Sequence, residues 1–419
     1  VPRRSRVSTH RFEPFGNGLT RKASKMNRRN ILKSIALGAA SAAVGVGGLV
    51  PASVRAANQP LKLALMAPMS GPAAFFGQAC KNCAALAIDE INARGGVLGR
   101  PLELLVGDAG AAPSESAQTA LRLWKRDRAE VFVGSHDSAV RTALESLFRG
   151  QVPYFYTPMY EGGDCAKGTF FVGETPAQQL TPVIPWLTAK HQVKRWFLIG
   201  NDYIWPRKSN EVAKKAIQGA GAIVVGEEYV PFDVDNFDAV LGKIRDSKAD
   251  AVFITLVGGS AVTFNRSFAS FGLSDKMIRF GTMIEENTLI GIGASNARNL
   301  YSASGFFSTP TATSARFLER YHRQFGASAV LSSIGESTYE GILMYEAMAR
   351  KANAASIGEL TKVSDGASYT GPRGVVTMKS RNVTADIFLA RASGVRYDIV
   401  KTFSQLGSAE TCASGAGAG

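Results

Sequence analysis

From residue 61 the chain repeats one pattern: a short apolar run, a loop rich in Gly, Pro or Ser, then an amphipathic helix. "LKLALMAPMSG" reads as a strand running into such a loop, and "AAFFGQACKNCAALAIDEINARGG" as a helix stopped by Gly95-Gly96. "LELLVGDAG" and "AEVFVGS" are the next strands, each followed by a helix, and "VPYFYTP" is another. The alternation restarts at "KRWFLIGND" and continues through "GAIVVGEEYVP", "ADAVFITLVGG" and "IRFGTMIEEN". Strands this short and this apolar are covered on both faces, and their alternation with helices means parallel sheets in an α/β architecture. Two such series predict two similar lobes, over 58–177 and 178–304. The later segments must rejoin them: 305–362 is expected in the first lobe and 363–408 in the second, with 409–419 a loose tail.

The remaining residues, at the amino terminus, carry a different signal. Residues 1–56 hold 11 Lys and Arg against the single acid Glu13, a net of +10, whereas the rest of the chain is only +4. No basic stripe with interleaved aromatics occurs in that remainder, so the charge does not point to nucleic acid. Met26 opens a segment with paired Arg28-Arg29, an uncharged stretch from Ser34 to Val54, and small residues at the end of Val54-Arg55-Ala56. That is the layout of a twin-arginine export signal, and it predicts a periplasmic protein, soluble once the signal is removed. Residues 1–25 read as lead sequence.

Export implies an oxidising compartment for Cys80, Cys83, Cys165 and Cys412. Cys80 and Cys83 have C-x-x-C spacing but lie on a predicted helix with no His nearby, so no metal site is expected. No nucleophile elbow, H-E-x-x-H or phosphate loop is present, and His136 beside Asp137 and Ser138 does not make a triad. Neither catalysis nor a cofactor is expected.

Parallel α/β sheets hold ligands outside the carboxyl ends of their strands. In the first lobe that rule selects the loop "VGSHDSAVRT", where Asp137 or Ser138 caps a helix whose free N–H groups attract an oxygen. It also selects Tyr156 and Thr157 at the next strand end. In the second lobe it selects Tyr203 and Trp205 after "RWFLIGND", Val257 and Gly258 after "AVFITL", and Glu285 after "RFGTMI". These two sets are expected on opposite walls of one cleft.

Together with "DEINARGGVLGRPLELLVGD" (89–108), these stretches resemble the type I periplasmic solute-binding proteins of the branched-chain amino acid group. Within that group, "YTPMYEG" (156–162), "GNDYIWPRKSN" (200–210), "ADAVFITLVGG" and "GPRGVV" are similar to the amide- and urea-binding branch. The resemblance covers roughly residues 60–400. It implies two Rossmann-like domains joined by three crossover strands and closing over a small solute. It also implies an ABC permease and its ATPase as partners. The serine matching Ser138 and its neighbouring amides would take the ligand carbonyl, with aromatics matching Tyr156, Tyr203 and Trp205 as walls. His136, Pro158 and Trp205 depart from the branch, all within the expected pocket. Two alternatives remain open: a sensor of the same fold that reports amide levels, and a branched-chain amino acid binder using Glu285 or Glu286 for the ligand ammonium.

Overall fold

A computed structural model describes residues 59–134 and 137–409. The segment expected to be an export signal and His136 therefore lie outside the described residues. The first sheet contains β1 (Leu61–Ala67), β2 (Leu102–Asp108), β3 (Val131–Gly134), β4 (Tyr154–Tyr156) and β5 (Thr169–Phe171), in the order β2-β1-β3-β4-β5. Every pair in it is parallel. The continuous apolar runs of β1 and β3 are buried on both faces, as expected of strands covered by helices on each side. The helix Gly77–Ala93 stops where Gly95 and Gly96 take positive φ and Gly96 N–H returns to Ile91 O at 2.9 Å.

The second sheet is built around β6 (Arg195–Asn201), β7 (Ile223–Val230), β8 (Ala251–Thr255), β9 (Ile278–Gly281) and β10 (Leu300–Ser304), again parallel. It continues through antiparallel partners: β11 (Ser368–Gly371), β12 (Gly374–Lys379), β13 (Asn382–Ser393) and β14 (Arg396–Leu406). The long β13 bridges two environments. Near its start it pairs with β12, and from Phe388 to Arg391 it pairs with β10. Leu360, Ala367, Val376, Met378, Val383 and Ala385 are buried in the same core as Leu61, Leu63 and Val131. The stretch 363–385, expected in the second lobe, thus packs its apolar side chains with the first. From Ile387 onward the chain packs with Trp196, Phe253 and Phe280 of the second sheet.

The chain passes between the sheets at three places, and one buried ion cluster touches two of them, after β5 and after β10. Arg373 Nη1 meets Glu174 Oε1 at 2.8 Å, and its Nε contacts the Glu340 carboxylate. Glu174 lies just past β5 and also accepts Gly305 N–H, just past β10, at 2.6 Å. Glu340 sits on the helix Ser333–Ala352, which packs along Gly77–Ala93, and takes the Tyr369 hydroxyl at 2.9 Å.

Candidate functional site

The strand ends of the two sheets face one another across a cavity of about 210 Å³. The first-lobe wall comes from the loops after β1 and β2, from Asp137 and Ser138 after β3, and from Tyr156, Pro158 and Met159 at the end of β4. The second-lobe wall is Tyr203, Trp205, Phe232, Val257 and Met283, with Ile334 closing one side. Five of the nine residues proposed from sequence therefore relate to the cavity directly: Ser138, Tyr156, Tyr203, Trp205 and Val257. Large aromatics at the start of a helix need a cover, and the first lobe supplies it. Trp205 is only 3% exposed and joins the first-lobe core together with Met283, while Tyr203 packs at its edge.

Asp137 is the helix cap, its Oδ1 accepting Val140 N–H at 2.9 Å. That leaves Ser138 as the first residue of the helix Ser138–Phe148, buried, with its hydroxyl donating to Glu161 Oε2 at 3.0 Å. Its proton is committed, so Ser138 Oγ offers a ligand only lone pairs. Behind it Arg141 is almost wholly buried. It pairs with Glu161 at 2.8 Å and Asp164 at 3.1 Å, and stands 3.8 Å from Glu145. Burial pushes the Glu145 carboxyl up to about 8. The Arg141 guanidinium also lies 5.1 Å from the centre of the Tyr156 ring. Burial drives the Tyr156 and Tyr203 hydroxyls upward, so both are protonated donors at neutral pH.

The other residues proposed from sequence are placed as follows. Thr157 is buried beneath the wall, its hydroxyl donating to Gly134 O at 2.9 Å. Gly258 lies at the contact between the lobes, with φ +63; a Cβ there would sit 3.0 Å from Pro72 O across the cleft. Glu285 is buried beside the cavity, and its Oε2 accepts the Ile334 N–H at 3.3 Å. Burial and the neighbouring Glu286 push its carboxyl up to about 8. Glu286 is raised to about 7 by burial and accepts Ser308 N–H. Neither acid lines the cavity, so each is engaged in holding loops together rather than facing a ligand.

Sequence reasoning missed Asn201. Its Oδ1 accepts Val257 N–H at 2.8 Å, and its Nδ2 donates to Pro231 O at 3.1 Å and Ser260 Oγ at 3.3 Å. One amide thereby ties three strand-end loops of the second lobe together. The signal was an amide directly after a buried apolar strand, where a buried polar group must find partners.

A family model described as Periplasmic binding protein matches residues 60–395. The chain is 26% identical over 368 residues to Leu/Ile/Val-binding protein homolog 6 of Brucella melitensis, spanning 83% of this chain and 92% of that protein. Its fold is similar to that of a solute-binding protein of an ABC transporter from Rhodopseudomonas palustris HaA2 in complex with p-hydroxybenzoic acid. There the TM-score is 0.77 at 18% identity, covering 84% of this chain and 99% of that one. It is also similar to the branched-chain amino acid transporter substrate-binding protein LivJ from Streptococcus pneumoniae in complex with isoleucine. That match has a TM-score of 0.74 at 19% identity, covering 83% of this chain and 100% of the other. None of these three names an amide or urea. No helix among the described residues is long and apolar enough to cross a membrane.

Proposed function

The chain belongs to the periplasmic binding protein family, and from that premise we propose that it is an exported receptor delivering a small, uncharged, planar solute of the amide class to an ABC permease. The observation that carries this reading is the character of the cavity. Aromatic faces from both lobes enclose it, and no Lys or Arg lines it among the described residues. A planar body gains burial between such faces, and a few polar groups set its orientation. Closure is favoured because the contacts to Tyr203 and Trp205 exist only when the second lobe reaches the first. Urea itself, small and polar on every edge, fits an aromatic cavity less well than an amide with an apolar body.

One observation favours a second reading. Asp137 is a carboxylate on the cavity wall, and an amino-acid ammonium would be attracted to it. The Leu/Ile/Val-binding names of the relatives point the same way. Titration calorimetry against urea, isobutyramide, benzamide, leucine and 4-hydroxybenzoate separates the readings. Heat with the amides and none with leucine is the expected result; leucine binding alone would replace the amide reading with the amino-acid one. The transport role, against that of a sensor, is favoured by the export signal expected from the sequence of residues 26–56 and is tested by co-purification with a permease.

A further inference from the structure

Trp205, a residue of the cavity lining, carries a polar atom that the described residues leave unpaired. Trp205 Nε1 is buried and has no hydrogen-bond partner. Several other buried side-chain atoms among the described residues also lack partners, among them Ser209 Oγ, Thr288 Oγ1 and Glu336 Oε1. None of those belongs to a cavity-lining residue. An indole N–H hidden from water without an acceptor is costly, and a native protein retains such a group when something else completes it. Its ring is held in place by the first-lobe core, and Tyr203 packs beside it with ring centres 6.3 Å apart. The donor is therefore held in place wherever the two lobes meet as they do here.

The opposite wall determines what kind of acceptor fits. There the Ser138 hydroxyl donates its hydrogen bond to Glu161, and Asp137 lines the cavity. Behind them the Arg141 guanidinium is already taken up by Glu161 and Asp164. A ligand carboxylate would enter an apolar cavity beside the Asp137 carboxylate, with only neutral donors, the Trp205 indole and the Tyr156 and Tyr203 hydroxyls, to meet it. A neutral carbonyl carries no such penalty, and an attached N–H suits the lone pairs of Ser138 Oγ.

We propose that the Trp205 indole N–H is the specificity-determining donor of this cleft, taking the carbonyl oxygen of an uncharged ligand and so separating an amide from its carboxylate isostere. This rests on the amide-class reading above.

The test is titration calorimetry of the full chain with benzamide and benzoate, which share a ring and differ in charge. Benzamide is expected to bind at least about tenfold more tightly than benzoate at pH 7.5. Trp205→Phe, which keeps an aromatic wall, is expected to weaken benzamide about tenfold, the usual scale for one buried neutral hydrogen bond. A second readout does not require the variant to fold well: in protein labelled with ¹⁵N-tryptophan, the Trp205 indole proton should move downfield on adding benzamide. Benzamide binding with an unmoved indole signal, or with full affinity in Trp205→Phe, overturns the inference alone. Benzoate binding as tightly as benzamide also overturns it. If wild-type protein binds neither benzamide nor isobutyramide, the amide reading fails and takes this inference with it.

Discussion

Replacing Arg373 by Met should be among the most damaging single changes in the described chain. The guanidinium is about 1% exposed and serves two buried carboxylates, Glu174 at 2.8 Å and Glu340 in closer contact, with Glu336 3.9 Å away. It also donates to Val172 O at 3.2 Å. Methionine keeps much of the volume and removes the charge. Breaking one buried ion pair costs about 3–5 kcal/mol, because the surviving charge is left uncompensated. Here two carboxylates are stranded, so the upper part of that range is expected. Total stabilities run at roughly 5–15 kcal/mol, so the variant should sit close to unfolding. The stranded carboxyls relax by taking up protons, which raises their folded-state pKa above the unfolded one. The variant must then lose further stability as pH rises above the ordinary carboxylate range, and recover some on acidification. Urea unfolding followed by circular dichroism at pH 5.5 and pH 8 measures both effects. A loss below about 1 kcal/mol at pH 8, or a loss that deepens at pH 5.5, would refute the reasoning.

Other outcomes follow from the same geometry. Glu285 and Glu286 hold protons in the folded state up to about pH 8 and pH 7, while unfolded carboxyls have released theirs. The thermal midpoint should therefore fall between about pH 5 and pH 8, and Glu285→Gln with Glu286→Gln should flatten that slope in a thermal scan. Gly258→Ala adds a Cβ 3.0 Å from Pro72 O in a backbone region that only glycine adopts freely. It should cost about 1–3 kcal/mol, seen as weaker ligand binding because the clash arises across the closed cleft. Ser138→Ala removes a donor to Glu161 and an acceptor on the cavity wall. Calorimetry should show benzamide binding weakened by about 1–3 kcal/mol.

The parts of the fold legible in the sequence are those where burial leaves a pattern. β1, β3, β6 and β8 are unbroken apolar runs because helices cover both their faces. β14 is mostly exposed, so its composition carries no apolar run; its pairing with β13 follows from the turn at Gly394, φ +65, between them. The lobe to which 363–385 packs was not legible either, since a β-strand's apolar face does not say which of two cores it meets. At the site, the strand-end rule located Ser138, Tyr156, Tyr203, Trp205 and Val257. It could not orient them. Glu285 follows a strand end as Trp205 does, yet its carboxyl turns to Ile334 N–H instead of the cavity. The roles of Asp137 and Ser138 were interchangeable in sequence and became distinct only through the hydrogen bonds to Val140 and Glu161. Asn201 and Arg141 work through partners distant in the chain or behind the wall, which no local spacing reveals.

A crystal structure grown with benzamide tests most directly whether the two walls hold one guest between them. The expected density is a planar molecule between Ser138 and Tyr156 on one side and Tyr203 and Trp205 on the other, its oxygen within hydrogen-bond reach of Trp205 Nε1. Benzamide bound on any other surface, with the space between those four side chains filled only by water, would contradict the account.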